Sequence, residues 1–600
     1  MALHRQARRA VFSLALALAL VLAACATQPA NDVAARVQTL NGLLAEHWEW
    51  NLKESPEFAT ALGDYRYNDR WSDITLAHAE QQKRDAAAFL ARFEAIDTSG
   101  FSDHDRLNQQ LMVRQLRESI RAVELKLHEM PVDQFVGLHI GIGEFVSYVP
   151  LETVKHYEDY LARLNQIPRL FADLVDILKQ GKQDGLMPPR YLLDKVVTQC
   201  EALAAPAGDT SAFGQPLAKF PESVSAAERE RLRAAIIVAI DTQVRPAYRT
   251  LAAFVKTGYA PHGRTEPGMW ALPNGEALYR FLVEQRTTTG KSPAEIHQIG
   301  LDEVARIEAE QTQIARKLGY KSLKRMRAAL AKDPKVHATS RQQILDLYRK
   351  YTDQMKPKLP ELFGLLPKAD VEIASVEEFR EKEASGAQYQ RGTPDGKRLG
   401  RVLVNTGDFA KRTLVSVETT AYHEGVPGHH MQISIAQTLP GLPPFRQHGG
   451  DTAYIEGWAL YAERLGRDVG FFQDPLSYYG HLDDELLRAN RLVLDTGVHF
   501  KRWTRQQMVD YFRAHSAQDE PTIQAETDRY IVWPGQALAY KLGQLKILEL
   551  RERARATLGD RFDIRAFHDN MLDGGSLPLD VLESRFEGWL AVQKAAVAAP

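Results

Sequence analysis

Seven long segments of this 600-residue chain repeat apolar residues at steps of three and four: 35–50, 76–95, 104–128, 153–180, 226–256, 293–318 and 341–354. That spacing lines one face of an α-helix, so the chain is expected to be mainly α. Breaks bearing Pro or Gly fall near 203–216 and 259–275, and the second could separate two halves. Strand signals are sparse. The clearest is Val402-Leu403-Val404, after a turn expected at Asp395-Gly396. The expectation is a large two-lobed helical body with a small antiparallel β element. No short-period repeat interrupts this pattern. A hydrophobic content of 44% is enough for a large core and excludes a wholly disordered or low-complexity chain.

The N-terminus reads differently. Arg5, Arg8 and Arg9 precede an apolar run from Val11 to Leu22. That run is too short for an ordinary membrane-spanning helix of about 20 residues. It ends in Leu22-Ala23-Ala24-Cys25, which resembles the bacterial lipobox, where the cysteine is lipidated. An ordinary signal peptide cut near Ala24 is the plain alternative. Ala26 after the cysteine, by the same resemblance, favours the outer membrane. Removal of residues 1–24 takes the formal net charge from −2 to −5. The expectation is a periplasm-facing body held to the membrane through its N-terminal lipid alone. With only Cys25 and Cys200 in the chain, a disulfide scaffold is excluded. Cys200 is expected in the core. No long basic run supports a nucleic-acid partner.

Three of the 18 histidines crowd into His423-Glu424-Gly425-Val426-Pro427-Gly428-His429-His430. His423-Glu424 resembles the start of the zincin motif H-E-x-x-H, in which two histidines one turn apart bind zinc and the glutamate activates water. Here the fourth position on is Pro427. On a straight helix His429 lies about 120° round from His423, and His430 about 10.5 Å along the axis. Zinc–nitrogen bonds are about 2.0–2.1 Å, so a straight helix cannot bring either to one ion with His423. The helix must bulge or break, and Pro427-Gly428 suits that. His429 is then the preferred second ligand, with His430 as the alternative. The bland reading is a surface histidine cluster at a helix end.

Glu456 is the one charge in residues 453–462, on a helix that is apolar nearly all round. A buried carboxylate must be paired or metal-bound, which makes Glu456 the candidate third ligand. Glu463, two turns on, either supports the site or faces solvent. Two His and one Glu leave zinc an open position for water. Arg491, Asp495 and His499 recur every fourth residue on an apolar helix; they form either a buried ion-pair network, a support for the metal or a substrate contact. Tyr530 and Tyr540, beside Arg529 and Lys541, are either core tyrosines or donors to a developing oxyanion. Arg529 and His430 complete the candidate substrate-binding or supporting residues.

These pieces together resemble the bacterial lipoprotein family catalogued as domain of unknown function 885. The resemblance runs through Ala61-Leu62-Gly63-Asp64-Tyr65-Arg66-Tyr67, the His423–Gln432 and Glu456–Tyr461 motifs, the stretch from Arg488 to His499, and Tyr530 through Gly543. It implies kinship with gluzincin metallopeptidases, such as angiotensin-converting enzyme, thimet oligopeptidase and the Taq carboxypeptidase group. Those are large helical bodies with a deep channel and a third ligand, a Glu, some two dozen residues beyond the second His. The 27 residues from His429 to Glu456 are compatible. The resemblance also supports His429 over His430, and lets Val402–Asn405 serve as an edge strand that pairs with peptide.

The reading is therefore a cell-envelope zinc metallopeptidase holding one zinc ion on His423, His429 and Glu456. Glu424 is the general base, and Tyr540 or Tyr530, helped by His499, stabilises the oxyanion. A zinc hydrolase of another amide or ester, and a non-catalytic metal- or peptide-binding lipoprotein, are the alternatives. The expected layout is leader 1–24, tether 25–40, N-terminal helical lobe 41–260 and C-terminal catalytic lobe 261–600.

Overall fold

The computed structural model describes residues 29–598 apart from 377–380, 382–383, 394–395 and 397. The expected leader, Cys25 and Asp395 lie outside the described residues. Each of the periodic segments is helical. The first helix, Pro29–Glu54, starts within the stretch expected as tether, and its Leu40 is fully buried. The 226–256 segment is helical in pieces. A wide π-type turn at Ile240–Val244 separates Ala226–Ala239 from Arg245–Phe254. It falls just before Pro246, whose missing N–H cannot continue the α-helical ladder. No helix among the described residues is long and apolar enough to cross a membrane.

Two compact units divide the chain. One comprises the chain up to Ser55 and Asp73–His128; the other comprises Pro56–Ser72 and Glu129–Pro600. The first unit holds Pro29–Glu54, Leu76–Glu94 and Asp103–Glu124. Its Phe89 ring packs edge-on to His47, with centroids 5.0 Å apart. In the second unit Cys200 is fully buried, and burial pushes its thiol up to about 12. That suits a core residue and not a nucleophile.

The elements around the candidate site all belong to the second unit. They are α1 (Pro293–Lys317), α2 (Arg341–Met355), β1 (Val371–Ser375), β2 (Ala387–Gln390), β3 (Gly400–Val404), α3 (Val417–Glu424) and α4 (His429–Thr438). The series continues with α5 (Thr452–Asp468), α6 (Pro475–His499), α7 (Glu520–Val532) and α8 (Ala539–Leu558). Ser292 starts α1 with a reciprocal cap: its hydroxyl accepts from the Glu295 N–H, and the Glu295 carboxylate accepts from the Ser292 N–H.

The strand expected at Val402–Val404 is present, but the sheet around it departs from expectation in two ways. It is mixed, with β1 parallel and β2 antiparallel to β3, and its order is β1-β3-β2. So β3 is the central strand, and Val402–Val404 cannot offer a free edge to a peptide. The reason is burial. Val402, Leu403 and Val404 are all buried, whereas β2 is half-buried throughout. Val371, Ile373, Val402 and Val404 pack against Ile344, Leu345 and Tyr348 of α2 and Val417 and Ala421 of α3. The sheet thereby backs the helix that carries His423.

Two helix pairs complete the scaffold, each closed by glycine. A Cβ on Gly300 of α1 would sit 2.7 Å from the Leu492 Cβ of α6. A Cβ on Gly457 of α5 would collide with the Gly543 Cα of α8, and one on Gly543 would collide with the Ala453 carbonyl. Larger residues at these points would push the helices apart. Gly457 adjoins Glu456, and Gly543 lies one turn beyond Tyr540, so this crossing sets α8 beside the Glu456 helix.

Candidate metal centre

The helix carrying His423 breaks where the sequence required it to. The Gly425 N–H bonds to the Ala421 carbonyl and ends α3; the Gly428 N–H then turns back to Tyr422 O, and α4 begins at His429. The Val426–Pro427 peptide is cis. A Cβ on Gly428 would collide with the carbonyl oxygens of Tyr422 and His423, so this turn admits only glycine. Trp458 Nε1–H of α5 donates to Pro427 O at 2.9 Å and ties the break to the helix that bears Glu456.

The break brings His423 and His429 together, their ring centroids 4.7 Å apart and nearly perpendicular. Glu456 Oε2 lies 3.3 Å from His429 Nε2 and 3.8 Å from His423 Nε2. One ligand atom from each of the three residues lies within 4.8 Å of the others. Ligands around one zinc ion stand roughly 3–3.5 Å apart, so this set closes on an ion with little movement. One observation fits a metal. Glu456 Oε2 is buried without a hydrogen-bond partner. Burial opposes ionisation of Glu456, yet His429, His423 and Arg491 outweigh it and hold the carboxyl at about 2. Burial likewise opposes charge on His429, but Glu456 and Glu424 raise its pKa overall. This His₂Glu triad could hold a metal ion.

The residues behind the triad orient it. His423 Nδ1–H donates to Glu463 Oε1 at 2.7 Å, which leaves the Nε2 lone pair facing Glu456 and His429. Glu463 is fully buried and does not face solvent. The Thr419 hydroxyl donates to its other oxygen at 2.7 Å and accepts from His481 Nδ1–H. Burial pushes the Glu463 carboxyl up, but the His423 and His481 contacts and the Arg488 charge hold it well below the usual range. Thr419, four residues before His423 on α3, and His481 escaped the sequence reading. The seven-residue step from Glu456 to Glu463 on a buried helix was the available signal.

Glu424 ends α3 beside the triad. It is 8% exposed, and its carboxylate has no hydrogen-bond partner among the described residues. The remaining candidates separate cleanly. His430 turns away from the triad: Tyr389 of β2 lies 3.1 Å from its Nδ1, and the Ala369 carbonyl 3.1 Å from its Nε2. Burial lowers its pKa to about 4. Neither ring nitrogen is left for an ion.

Asp495 and His499 also have their polar atoms matched inside the fold. Asp495 accepts from the Tyr279 hydroxyl at 2.7 Å and the Gly535 N–H at 2.9 Å, and burial raises it to about 7. His499 Nδ1 accepts from the Met269 N–H, while Nε2–H donates to Tyr530 O; burial pushes the ring down to about 3. The expected help of His499 at an oxyanion therefore has no lone pair or proton to draw on. Arg491 bonds to Tyr530 and Glu526, and its charge helps hold the Glu456 carboxyl low.

The two tyrosines differ in what their protons do. Tyr530 gives its proton to Glu526 Oε2 at 2.5 Å and accepts from Arg491 Nε. Tyr540 only accepts, from Arg529 Nη2 and Gln536 Nε2, both at 3.3 Å. Its own proton is given to no group among the described residues.

The model of the family described as "Bacterial protein of unknown function (DUF885)" matches residues 56–586. Among solved structures, a candidate lipoprotein from Colwellia psychrerythraea is similar over 93% of this chain and 99% of its own, with 30% identity and a TM-score of 0.88. A candidate lipoprotein of unknown function from Shewanella oneidensis is similar over 92% and 99%, with 18% identity and a TM-score of 0.68. No curated protein matches.

Proposed function

This chain belongs to the DUF885 family of bacterial proteins, and we propose that it is a zinc-dependent metallopeptidase of the cell envelope, related to the gluzincins. The observation that carries the reading is a pairing: a His423–His429–Glu456 triad, both histidines buried, able to hold a metal, and next to it a buried carboxylate, Glu424, with no hydrogen-bond partner among the described residues. A site that only stores metal needs no free base beside its ligands. Zinc bound there supplies Lewis-acid chemistry, polarising a carbonyl and acidifying water.

The chain's own residues do the rest. Glu463 fixes the proton of His423 on Nδ1, so that Nε2 serves as ligand. Glu424 takes a proton from the attacking water and passes it to the leaving amine. Tyr540, whose hydroxyl proton is given to no group among the described residues, donates to the carbonyl oxygen as negative charge grows there. The half-buried outer edge of β2, whose Tyr389 contacts His430, replaces β3 as the strand available to extended peptide. The lipobox at Cys25 and the similarity to candidate lipoproteins support anchorage by lipid, with the outer membrane as the favoured site.

The decisive measurement is zinc stoichiometry alongside peptide cleavage for Glu424→Gln. We expect zinc to be retained and turnover to fall about 10²–10⁴-fold. Unchanged cleavage would sink the assignment.

A further inference from the structure

Arg491 of α6 and Arg529 of α7 converge on one acid. Arg491 Nη2 lies 3.0 Å from Glu526 Oε2, and Arg529 Nη1 lies 3.2 Å from Glu526 Oε1. Glu526 is the only carboxylate bonded to either arginine among the described residues. Within hydrogen-bond reach the group thus holds two cations and one anion in a largely buried setting, with Arg491 also acting on Glu456 through its charge. Burying an unmatched charge is costly, so a fold that does so has a use for it. Arg529 Nε is buried without a hydrogen-bond partner.

Aromatic faces hold both guanidinium groups in place. Arg491 stacks 4.5 Å from the centre of the Tyr540 ring. Arg529 lies 5.0 Å from the centre of Phe135, which is 40% exposed, and 5.6 Å from that of Trp533. The cluster also adjoins the metal centre. Tyr540 sits one turn from Gly543, whose Cα is in contact range of Gly457, the neighbour of Glu456. Held, planar guanidinium forks suit a carboxylate, which they bind through paired hydrogen bonds.

We propose that Arg491 and Arg529, both in contact with Tyr540, form a carboxylate-binding subsite, so that the preferred ligand is a peptide bearing a carboxylate close to the bond presented to the metal centre. This deepens the peptidase reading and rests on it for the identity of the ligand as a peptide. The carboxylate is either the free C-terminus or an Asp or Glu side chain, and the two are separable by experiment.

Equilibrium binding to the full chain, measured by calorimetry, tests the subsite without requiring turnover. The probes are N-acetylated alanine tripeptide as the free acid, the same tripeptide as its amide, and the amide with its middle alanine replaced by aspartate. At least one carboxylate-bearing probe should bind about ten- to a hundredfold more tightly than the neutral amide. Preference for the free acid assigns the C-terminus, and preference for the aspartyl amide assigns the side chain. Arg529→Gln should bring the three affinities together, whereas Arg529→Lys, which keeps the charge but not the fork, should retain part of the difference. Equal binding of all three probes to the unmodified chain, or no binding of any, overturns the proposal. Cleavage of the same probes is scored separately. Selective binding without cleavage leaves the subsite standing and removes the peptidase reading; cleavage with no preference in binding does the reverse.

Discussion

The His423–His429–Glu456 triad and the Arg491–Asp495–His499 stripe are alike in sequence and opposite in structure. Both put polar residues on helices that are otherwise largely buried, the stripe at four-residue steps along α6 and the triad across α3, α4 and α5. In the lower part of the stripe the partners are complete: Asp495 has Tyr279 and Gly535, and His499 has Met269 and the Tyr530 carbonyl. In the triad they are not. His423 has one ring nitrogen fixed by Glu463, while among the described residues Glu456 Oε2 is buried and unbonded and Glu424 is without a hydrogen bond. Buried polar atoms are ordinarily satisfied, so an unbonded carboxylate oxygen facing two histidines fits a missing ligand. Arg491, at the upper end of the stripe, sits between the two cases: it is bonded to Glu526 and Tyr530, yet its charge acts on Glu456.

That contrast can be broken by mutation. After the loss expected at Glu424, the largest effect should be that of Tyr540→Phe, with kcat down about 10²–10³-fold, as for removal of an oxyanion donor. Tyr530→Phe should instead appear in the thermal midpoint, since it removes hydrogen bonds to Glu526 and Arg491. Equal kinetic effects of the two substitutions would erase the distinction drawn from their protons. Next in size is Glu463→Gln, which should weaken zinc binding about 10–100-fold in a competition titration against a chelator, because His423 loses its charged partner. His430→Asn should leave that titration unchanged, its ring lying against Tyr389 and Ala369. A drop in zinc affinity for His430→Asn equal to that for His429→Ala would show the ligand choice to be wrong.

The smallest effect belongs to the satisfied stripe. Burial holds His499 at about 3, below its ordinary 6.5. The unfolded chain takes up a proton near pH 6.5 that the folded ring resists until about pH 3. The stability this provides is complete above pH 6.5 and drains away as pH falls toward 3. Between pH 7 and pH 5 the loss should be about 1–2 kcal/mol, and His499→Gln should flatten that part of the stability–pH curve in chemical denaturation. An unaltered slope would mean that His499 is not buried neutral.

Much of this was legible in local spacing. The helical segments, the strand at Val402–Val404, the break at Pro427-Gly428 and a lone carboxylate at Glu456 on a largely buried helix all follow from periodicity and residue type. The mixed sheet did not, because the partners of β3 lie in separate stretches of chain and their direction depends on how those stretches return. The fate of Glu463 did not either. A helical wheel shows that it shares a face with Glu456, but not that Thr419 and His481 from two other helices surround that face.

The sequence by itself determined that this chain is mainly helical, that the helix through His423 must break before a second histidine can join it, and that Glu456 is a carboxylate in need of a partner. Only the tertiary structure decided that His429 and not His430 turns toward Glu456, that Asp495 and His499 are internally satisfied, and that Tyr540 and not Tyr530 has a proton to give. The reason is physical. Spacing along one chain sets which face a residue shares, whereas unused lone pairs and protons depend on the partners brought by other elements, and those are set by long-range packing such as the Gly457–Gly543 crossing.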